Sequence, residues 1–312
     1  MKIAAIMSSG GLNQGNNFIN FGGQTVVERL NPDSNIEYFE FYDSCLPQWK
    51  TREIFTKSTI NYIKSNFDLI YMFQGSGGSP MIRDYVFKPI NEIGLPIIIL
   101  GLGCGGTYDQ GEIQAINDIH NLSNVKKLIT RDAKSYGFLK DNTKAYSGID
   151  LAFFARDTIK PRKEGGGENY AVVNYEPHGL PTELNGAYDL KQQLEQHYDK
   201  VYIVENNVNP SNRSIDNFVQ IGYARELWNF YANASYVITT RVHSAICCVT
   251  SGVKFTYLGS DSGGKKGRNC LFNEIGLTLQ TGEEFDGKEY LENIDKAKEN
   301  YIQNIEVFLN EE

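Results

Sequence analysis

Short apolar runs bounded by Gly or Asp alternate along the chain with longer segments of helical period, the order produced when parallel strands are joined by covering helices. In the first half, runs near 2–7, 37–42, 68–74, 96–101, 126–130 and 144–147 predict strands, and segments 52–65, 81–92, 112–121 and 132–139 predict helices. The alternation stops at 158–169, where Lys160-Pro161-Arg162-Lys163-Glu164 and Gly165-Gly166-Gly167 form a polar, glycine-rich stretch of the kind that joins domains. It then restarts, with strands expected at 170–174, 200–205, 235–240 and 254–258 and helices at 182–198, 216–230 and 243–250. Over 288–309, Tyr290, Ile294, Ala297, Tyr301, Ile305 and Phe308 recur at steps of three and four, which predicts an amphipathic closing helix. The pattern therefore predicts an α/β protein of two doubly wound units, 1–157 and 168–286, with the closing helix in 287–312.

A chain of 312 residues is long enough for two separate cores. Its 41% hydrophobic content, with 19 Tyr and 17 Phe, argues against extensive disorder. The formal charge of -8 provides no general field for nucleic acid, which is excluded as a partner, so an anionic substrate has to be held by a local cluster of Arg and Lys. Cys45, Cys104, Cys247, Cys248 and Cys270 are odd in number and show no Cys-x-x-Cys spacing, which points to thiols in a reducing compartment. The first seven residues read as a buried strand rather than a signal peptide, and no apolar run is long enough for a transmembrane segment. A cytoplasmic protein is expected, with peripheral contact at the inner face of the membrane left open. The pattern says nothing of oligomeric state.

Candidate chemistry gathers where strands end. Gln74-Gly75-Ser76-Gly77-Gly78 and Gly101-Leu102-Gly103-Cys104-Gly105-Gly106 both follow apolar strands, where glycine lets backbone N–H groups approach a ligand. Each serves equally well as a tight strand-to-helix turn, and the second matches a dinucleotide fingerprint only loosely. Arg131-Asp132-Ala133-Lys134-Ser135 runs from a strand directly into a helix. Asp132 suits an N-cap with Ser135 in the first turn, and Arg131 can offer its guanidinium to a carboxylate or phosphate or form an interdomain ion pair. Asp150, after Gly148-Ile149, reads as structural support that caps, braces the domain junction or orients Arg131.

The most informative stretch is Thr239-Thr240-Arg241-Val242-His243-Ser244, in which a strand rich in β-branched residues delivers Arg and His to the start of a helix. Arg241 stabilises negative charge, whereas His243 can also exchange a proton near neutral pH, so the element reads as an anion site containing a titratable group. Asn174-Tyr175-Glu176-Pro177-His178 ends the first strand of the second unit and would face the same crevice, though Pro177 and Gly179 also suit an ordinary loop. The basic run at Lys265 and Lys266 could close over a phosphate or be a solvated loop.

Taken together, Arg241-x-His243 with an apolar helix running to Gly252, Arg131-Asp132-x-x-Ser135, Gly148-Ile149-Asp150-Leu151-Ala152-Phe153 and the Gly101 to Gly106 loop resemble the polysaccharide pyruvyl transferase family over most of the chain. The resemblance implies two Rossmann-like domains facing across a cleft, as in GT-B-type glycosyltransferases, with the acceptor on the first domain and the donor on the second. It implies transfer of pyruvyl from phosphoenolpyruvate to two hydroxyls of a sugar in a surface polysaccharide or its precursor, forming a cyclic ketal with no metal or other cofactor. Arg131 and Arg241 would hold the donor's phosphate and carboxylate, and His243 would protonate the donor methylene or handle a sugar proton. Asn20, Gly75, Ser76, Gly103, Gly105, Asn174, Glu176, His178, Ser244, Lys265 and Lys266 become the candidate substrate-binding positions. The acceptor is a sugar or glycan, free or lipid-linked.

Two features depart from the family pattern. Asn20-Phe21-Gly22-Gly23 carries Gly where an acid is expected, and the first domain has no His before His120. Asp109, Glu176 and His178 are the candidate substitutes. The departures keep two other readings in play, a GT-B-type glycosyltransferase using a nucleotide sugar and a non-catalytic glycan or phosphosugar-binding protein.

Overall fold

The computed structural model describes residues 1–8, 14–40, 56–75, 78–104, 108–139, 143–162, 169–175, 184–205, 218–259 and 268–310. The first six strands are β1 (Lys2–Met7), β2 (Asn35–Glu40), β3 (Leu69–Phe73), β4 (Ile97–Leu102), β5 (Val125–Thr130) and β6 (Ala145–Ser147). They form one sheet in the order β2-β1-β3-β4-β5-β6, parallel throughout. Its centre is apolar on both faces, as Ile97, Ile98, Ile99 and Leu100 show by being buried in succession, because a parallel sheet is covered by helices on both sides.

The second sheet contains β7 (Tyr170–Tyr175), β8 (Lys200–Glu205), β9 (Phe218–Gln220), β10 (Tyr236–Thr239), β11 (Lys254–Tyr257) and β12 (Glu284–Asp286), in the order β12-β11-β10-β7-β8-β9. Its pairs are parallel except for β12, which runs antiparallel to β11. Strand order reverses between β1 and β3 in the first sheet and between β7 and β10 in the second. Open α/β sheets form their ligand crevices outside the carboxyl ends of such strands.

The longer helices are α1 (Gln14–Leu30), α2 (Lys57–Asn66), α3 (Gln110–His120), α4 (Leu184–Leu194), α5 (Ala224–Ala232), α6 (Val242–Ser251) and α7 (Leu291–Asn310). Three helical segments depart from, or add to, the periodicity reading. Helix α1 was not expected, because Asn16, Asn17, Asn20, Gly22 and Gly23 weaken helix propensity; burial of Phe18, Ile19, Val26 and Val27 overrides it. The expected helix at 216–230 instead begins as the edge strand β9, since Phe218 and Val219 suit a strand and Gly222 separates them from α5. The helix expected at 81–92 is interrupted by a π turn at Arg83–Phe87, next to Pro89, which has no N–H to continue the ladder.

The two sheets are joined by an apolar seam. Phe18 of α1 meets Trp228 of α5 edge to face at 4.8 Å, and Gln14 Nε2 donates to the Gly222 carbonyl at 3.2 Å. Helix α7 returns from the second unit to the first, where Tyr301 packs on Phe154 and Lys298 Nζ pairs with Asp157 at 2.6 Å. Among the described residues, no helix is long and apolar enough to cross a membrane.

Burial also sets the thiol chemistry. It pushes Cys104 up to about 12 and Cys270 up to about 11, and it raises Cys247 and Cys248 as well. Folded-state values above the ordinary 9.0 mean that this stability contribution is intact below 9.0 and is lost as pH climbs toward those values. Alkylation followed by peptide mass analysis is expected to modify Cys270 before Cys104, Cys247 and Cys248, which should react only in denaturant. Early labelling of Cys247 would contradict this packing.

Candidate active site at the interdomain seam

Arg131 leaves the carboxyl end of β5 and lies flat against the backbone of Gly103. A Cβ at Gly103 would stand 2.3 Å from Arg131 Nε, so only glycine leaves room for the guanidinium. Gly103 N–H donates to the Gly75 carbonyl at 2.8 Å, and Arg131 Nη2 donates to the Cys104 carbonyl at 2.7 Å. Gly75, Gly103 and the guanidinium thus form one layer over the sheet edge. Asp132 caps the turn that follows: its carboxylate accepts from Ser135 N–H at 2.6 Å and from Ser135 Oγ at 3.0 Å. It also stands 3.4 Å from Arg131 Nε.

Arg131 is only 2% exposed, more enclosed than a substrate-facing arginine was expected to be. Burial by itself would lower its pKa, but Asp132 and Asp150, with Tyr108 and Cys270, raise it overall. These neighbours come from both domains. The Tyr108 hydroxyl lies 3.6 Å from Cys270 Sγ, bridging the seam beside Arg131, and Lys134 Nζ sits 3.8 Å above the Tyr108 ring. Tyr108 holds a left-handed backbone, φ 52°, which is costly for a residue with a Cβ and is found most often near functional sites.

Across the seam, His243 occupies the first turn of α6 with its side chain 14% exposed. Its Nε2 lies 3.8 Å from Asp150 Oδ2, beyond hydrogen-bonding distance. Asp150 is the N-cap of the short turn Leu151–Phe154, its Oδ1 accepting from Ala152 N–H at 2.9 Å. Burial pushes the Asp150 carboxyl up, but His243, Arg131 and the Ala152 amide together bring it below the ordinary carboxylate value. Asp150 therefore stands electrostatically between Arg131 of its own domain and His243 of the other. Asp150 Oδ2, His243 Nε2 and Arg131 Nε are all buried without a hydrogen-bond partner in the protein, an arrangement that a folded core normally avoids.

Arg241 is the N-cap of α6, with its N–H donating to Thr239 Oγ1 at 2.9 Å and its own side chain capping nothing. Helix α6 ends at Gly252, which takes φ 69° as a left-handed cap. The N-terminus of α6 thus presents Arg241 and His243 at the crevice of the second sheet.

The other sequence-derived positions separate clearly. Asn20 is buried on α1, its Nδ2 donating to the Ser8 carbonyl at 2.7 Å and its Oδ1 without a partner. Gly75 and Gly103 frame Arg131. Asn174, expected to touch substrate, is fully buried: Nδ2 donates to the Val204 carbonyl at 3.1 Å and Oδ1 accepts from Thr239 Oγ1 at 2.9 Å. Ser244 is likewise turned into the core against the Tyr231 hydroxyl, because one helical step from His243 rotates it away from the seam. Ser76, Gly105, Glu176, His178, Lys265 and Lys266 lie outside the described residues.

The departures at Gly23 and His120 also have local explanations. A Cβ at Gly23 would stand 2.5 Å from the Phe73 ring, so this helix face is packed where an acid was expected. Asp109, a candidate substitute, instead caps α3 by accepting from Glu112 N–H at 2.9 Å. His120 ends that helix, away from the carboxyl edge of the sheet. The carboxylate that meets His243 is Asp150, which sequence reasoning treated as a brace although Gly148-Ile149-Asp150 carried the signal. Among the described residues, no group of three or more His, Cys, Asp or Glu is placed to hold a metal ion.

Comparison with known proteins places this geometry. No curated protein matches the chain in sequence. Among solved structures, UDP-GlcNAc 2-epimerase from Neisseria meningitidis, bound to UDP-GlcNAc, aligns with TM-score 0.55 at 11% identity, covering 100% of this chain and 95% of the other. The Methanocaldococcus jannaschii UDP-GlcNAc 2-epimerase aligns with TM-score 0.54 at 13% identity, covering 97% and 93%. The S. aureus MnaA–UDP complex gives 0.56 at 11% identity, covering 98% and 89%. At these identities the likeness establishes a shared two-domain, GT-B-like α/β fold. The family model for polysaccharide pyruvyl transferase matches residues 13–262, which contain β2 to β11 and Arg131, Asp150, Arg241 and His243; on that coverage, the chain belongs to the polysaccharide pyruvyl transferase family.

Proposed function

We propose that this protein transfers pyruvyl from phosphoenolpyruvate to two hydroxyls of one sugar, forming a cyclic ketal on a surface polysaccharide or its precursor. The observation that carries the reading is the meeting of Arg131, Asp150 and His243 at one seam, each with a buried polar atom that has no hydrogen-bond partner in the protein.

In this reading Arg241 and the N-terminus of α6 hold the donor phosphate, and Arg131, enclosed beneath Gly75 and Gly103, adds positive potential on the side of the carboxylate. His243 protonates the methylene carbon, leaving positive charge at the adjacent carbon, where the first sugar hydroxyl adds and loses its proton. The second hydroxyl then adds as the carbon–oxygen bond to phosphate breaks. One proton from the two hydroxyls ends on carbon and the other on inorganic phosphate, so no oxidant is required. Asp150 keeps the imidazole oriented through this proton transfer, and Asn20 Oδ1 is a candidate acceptor for a sugar hydroxyl.

Incubation with phosphoenolpyruvate and a panel of free and lipid-linked sugars is expected to release phosphate in proportion to a pyruvyl ketal detected by mass. Turnover of a nucleotide sugar with indifference to phosphoenolpyruvate would replace the proposal with glycosyl transfer. Tight binding of a glycan or phosphosugar with no turnover across the panel would replace it with a binding role.

A further inference from the structure

The Arg-Val-His turn is tied to its sheet by a line of buried hydrogen bonds that begins two strands away. The Val204 carbonyl at the end of β8 accepts from Asn174 Nδ2 at 3.1 Å. That contact fixes which way the Asn174 amide faces and turns Oδ1 toward β10, where it accepts from Thr239 Oγ1 at 2.9 Å. With its single proton committed there, the Thr239 hydroxyl has lone pairs for Arg241 N–H, also at 2.9 Å. Asn174 and Thr239 are both completely buried. The line therefore crosses β8, β7 and β10 at the point where strand order reverses, and it ends on the backbone of the residue that starts α6.

We propose that Thr239 and Asn174 are positioning residues for the donor site, acting through Arg241 N–H to set where Arg241 and His243 stand. The inference rests on the reading of those two residues as donor-binding and proton-transferring groups. A polar pair that merely satisfied itself would end on another side chain or on a strand ladder. This one ends on the N-cap of the helix that carries both functional groups. Displacements near 1 Å in such groups reduce turnover by up to about a hundredfold, so a buried tether at this position has a direct route to rate.

Thr239→Val removes the hydroxyl at nearly constant shape, and Thr239→Ser restores it. Calorimetric titration with phosphoenolpyruvate and steady-state kinetics are expected to show donor Kd and KM raised about tenfold and kcat lowered about tenfold in the valine variant. Acceptor KM should be unchanged, and the serine variant should lie within about threefold of wild type. Amide hydrogen exchange should accelerate across 240–244 in the valine variant alone. Unchanged donor binding and exchange in Thr239→Val would overturn the inference, as would equal losses in the valine and serine variants. If wild type fails to bind phosphoenolpyruvate while Thr239→Val still accelerates exchange at 240–244, the functional reading falls and the tether stands.

Discussion

Replacement of His243 by Ala is expected to reduce phosphate release from phosphoenolpyruvate by about 10²–10⁴-fold, the range contributed by a positioned general acid or base. Stability should change little, within about 1 kcal/mol, because the ring sits at a helix start on the seam rather than in the packed core. Asp150→Asn separates orientation from proton transfer. Asn keeps a side-chain oxygen for Ala152 N–H, now met at 2.9 Å, but removes the negative charge between Arg131 and His243. Turnover should fall by a smaller factor than in His243→Ala, and the double variant should be little worse than His243→Ala alone, because the two residues work as a unit. Multiplicative losses in the double variant would show that Asp150 acts elsewhere.

The same carboxylate gives a pH signature. Its folded-state value is below the ordinary 3.8, so its stabilising contribution is present above 3.8 and disappears as pH falls below it. Urea midpoints of wild type and Asp150→Asn should therefore differ most near neutrality and converge in acid. A constant gap across the acid range would mean that the charge of Asp150 contributes nothing to the fold.

Gly22→Ala is expected to have the largest effect on stability, a loss of about 2–3 kcal/mol. The added methyl carbon would stand 1.7 Å from the Leu151 carbonyl oxygen and 3.3 Å from Ala155 N. Both are backbone atoms, which no rotamer change can move. The gain of about 1 kcal/mol that alanine normally brings to a helix interior offsets only part of the cost. The turn pushed away is the one whose N-cap is Asp150, so the surviving folded protein should also lose activity. A melting temperature and turnover equal to wild type would refute the close approach of α1 to that turn. Gly23 differs, because its would-be Cβ meets the Phe73 ring, a side chain that can swing. Gly23→Asp is accordingly expected to destabilise without creating a working acid.

Much of this site was visible as motif before it was visible as geometry. Arg131, Arg241 and His243 stand at strand ends, and alternating period correctly indicated those ends. The capping by Asp132 follows from a local rule, Asp three residues before Ser135, and is met in the fold. Position alone does not place Asn174 and Ser244, because a residue near a strand end or helix start can face either the crevice or the core, and both face the core. Only the packing partners, Val204 and Thr239 for one and Tyr231 for the other, decide which.

Period and punctuation alone determine the alternation of strands and helices, the restart after residue 169 and the cap at Gly252, since each depends on residues a few positions apart. Helix α1 shows the limit: asparagines and glycines argue against it locally, and it exists because Phe18, Ile19, Val26 and Val27 bury against the sheet and the neighbouring domain. The Asp150–His243 contact lies beyond any local rule as well. It joins residues of different domains at 3.8 Å, across the same seam at which Phe18 meets Trp228.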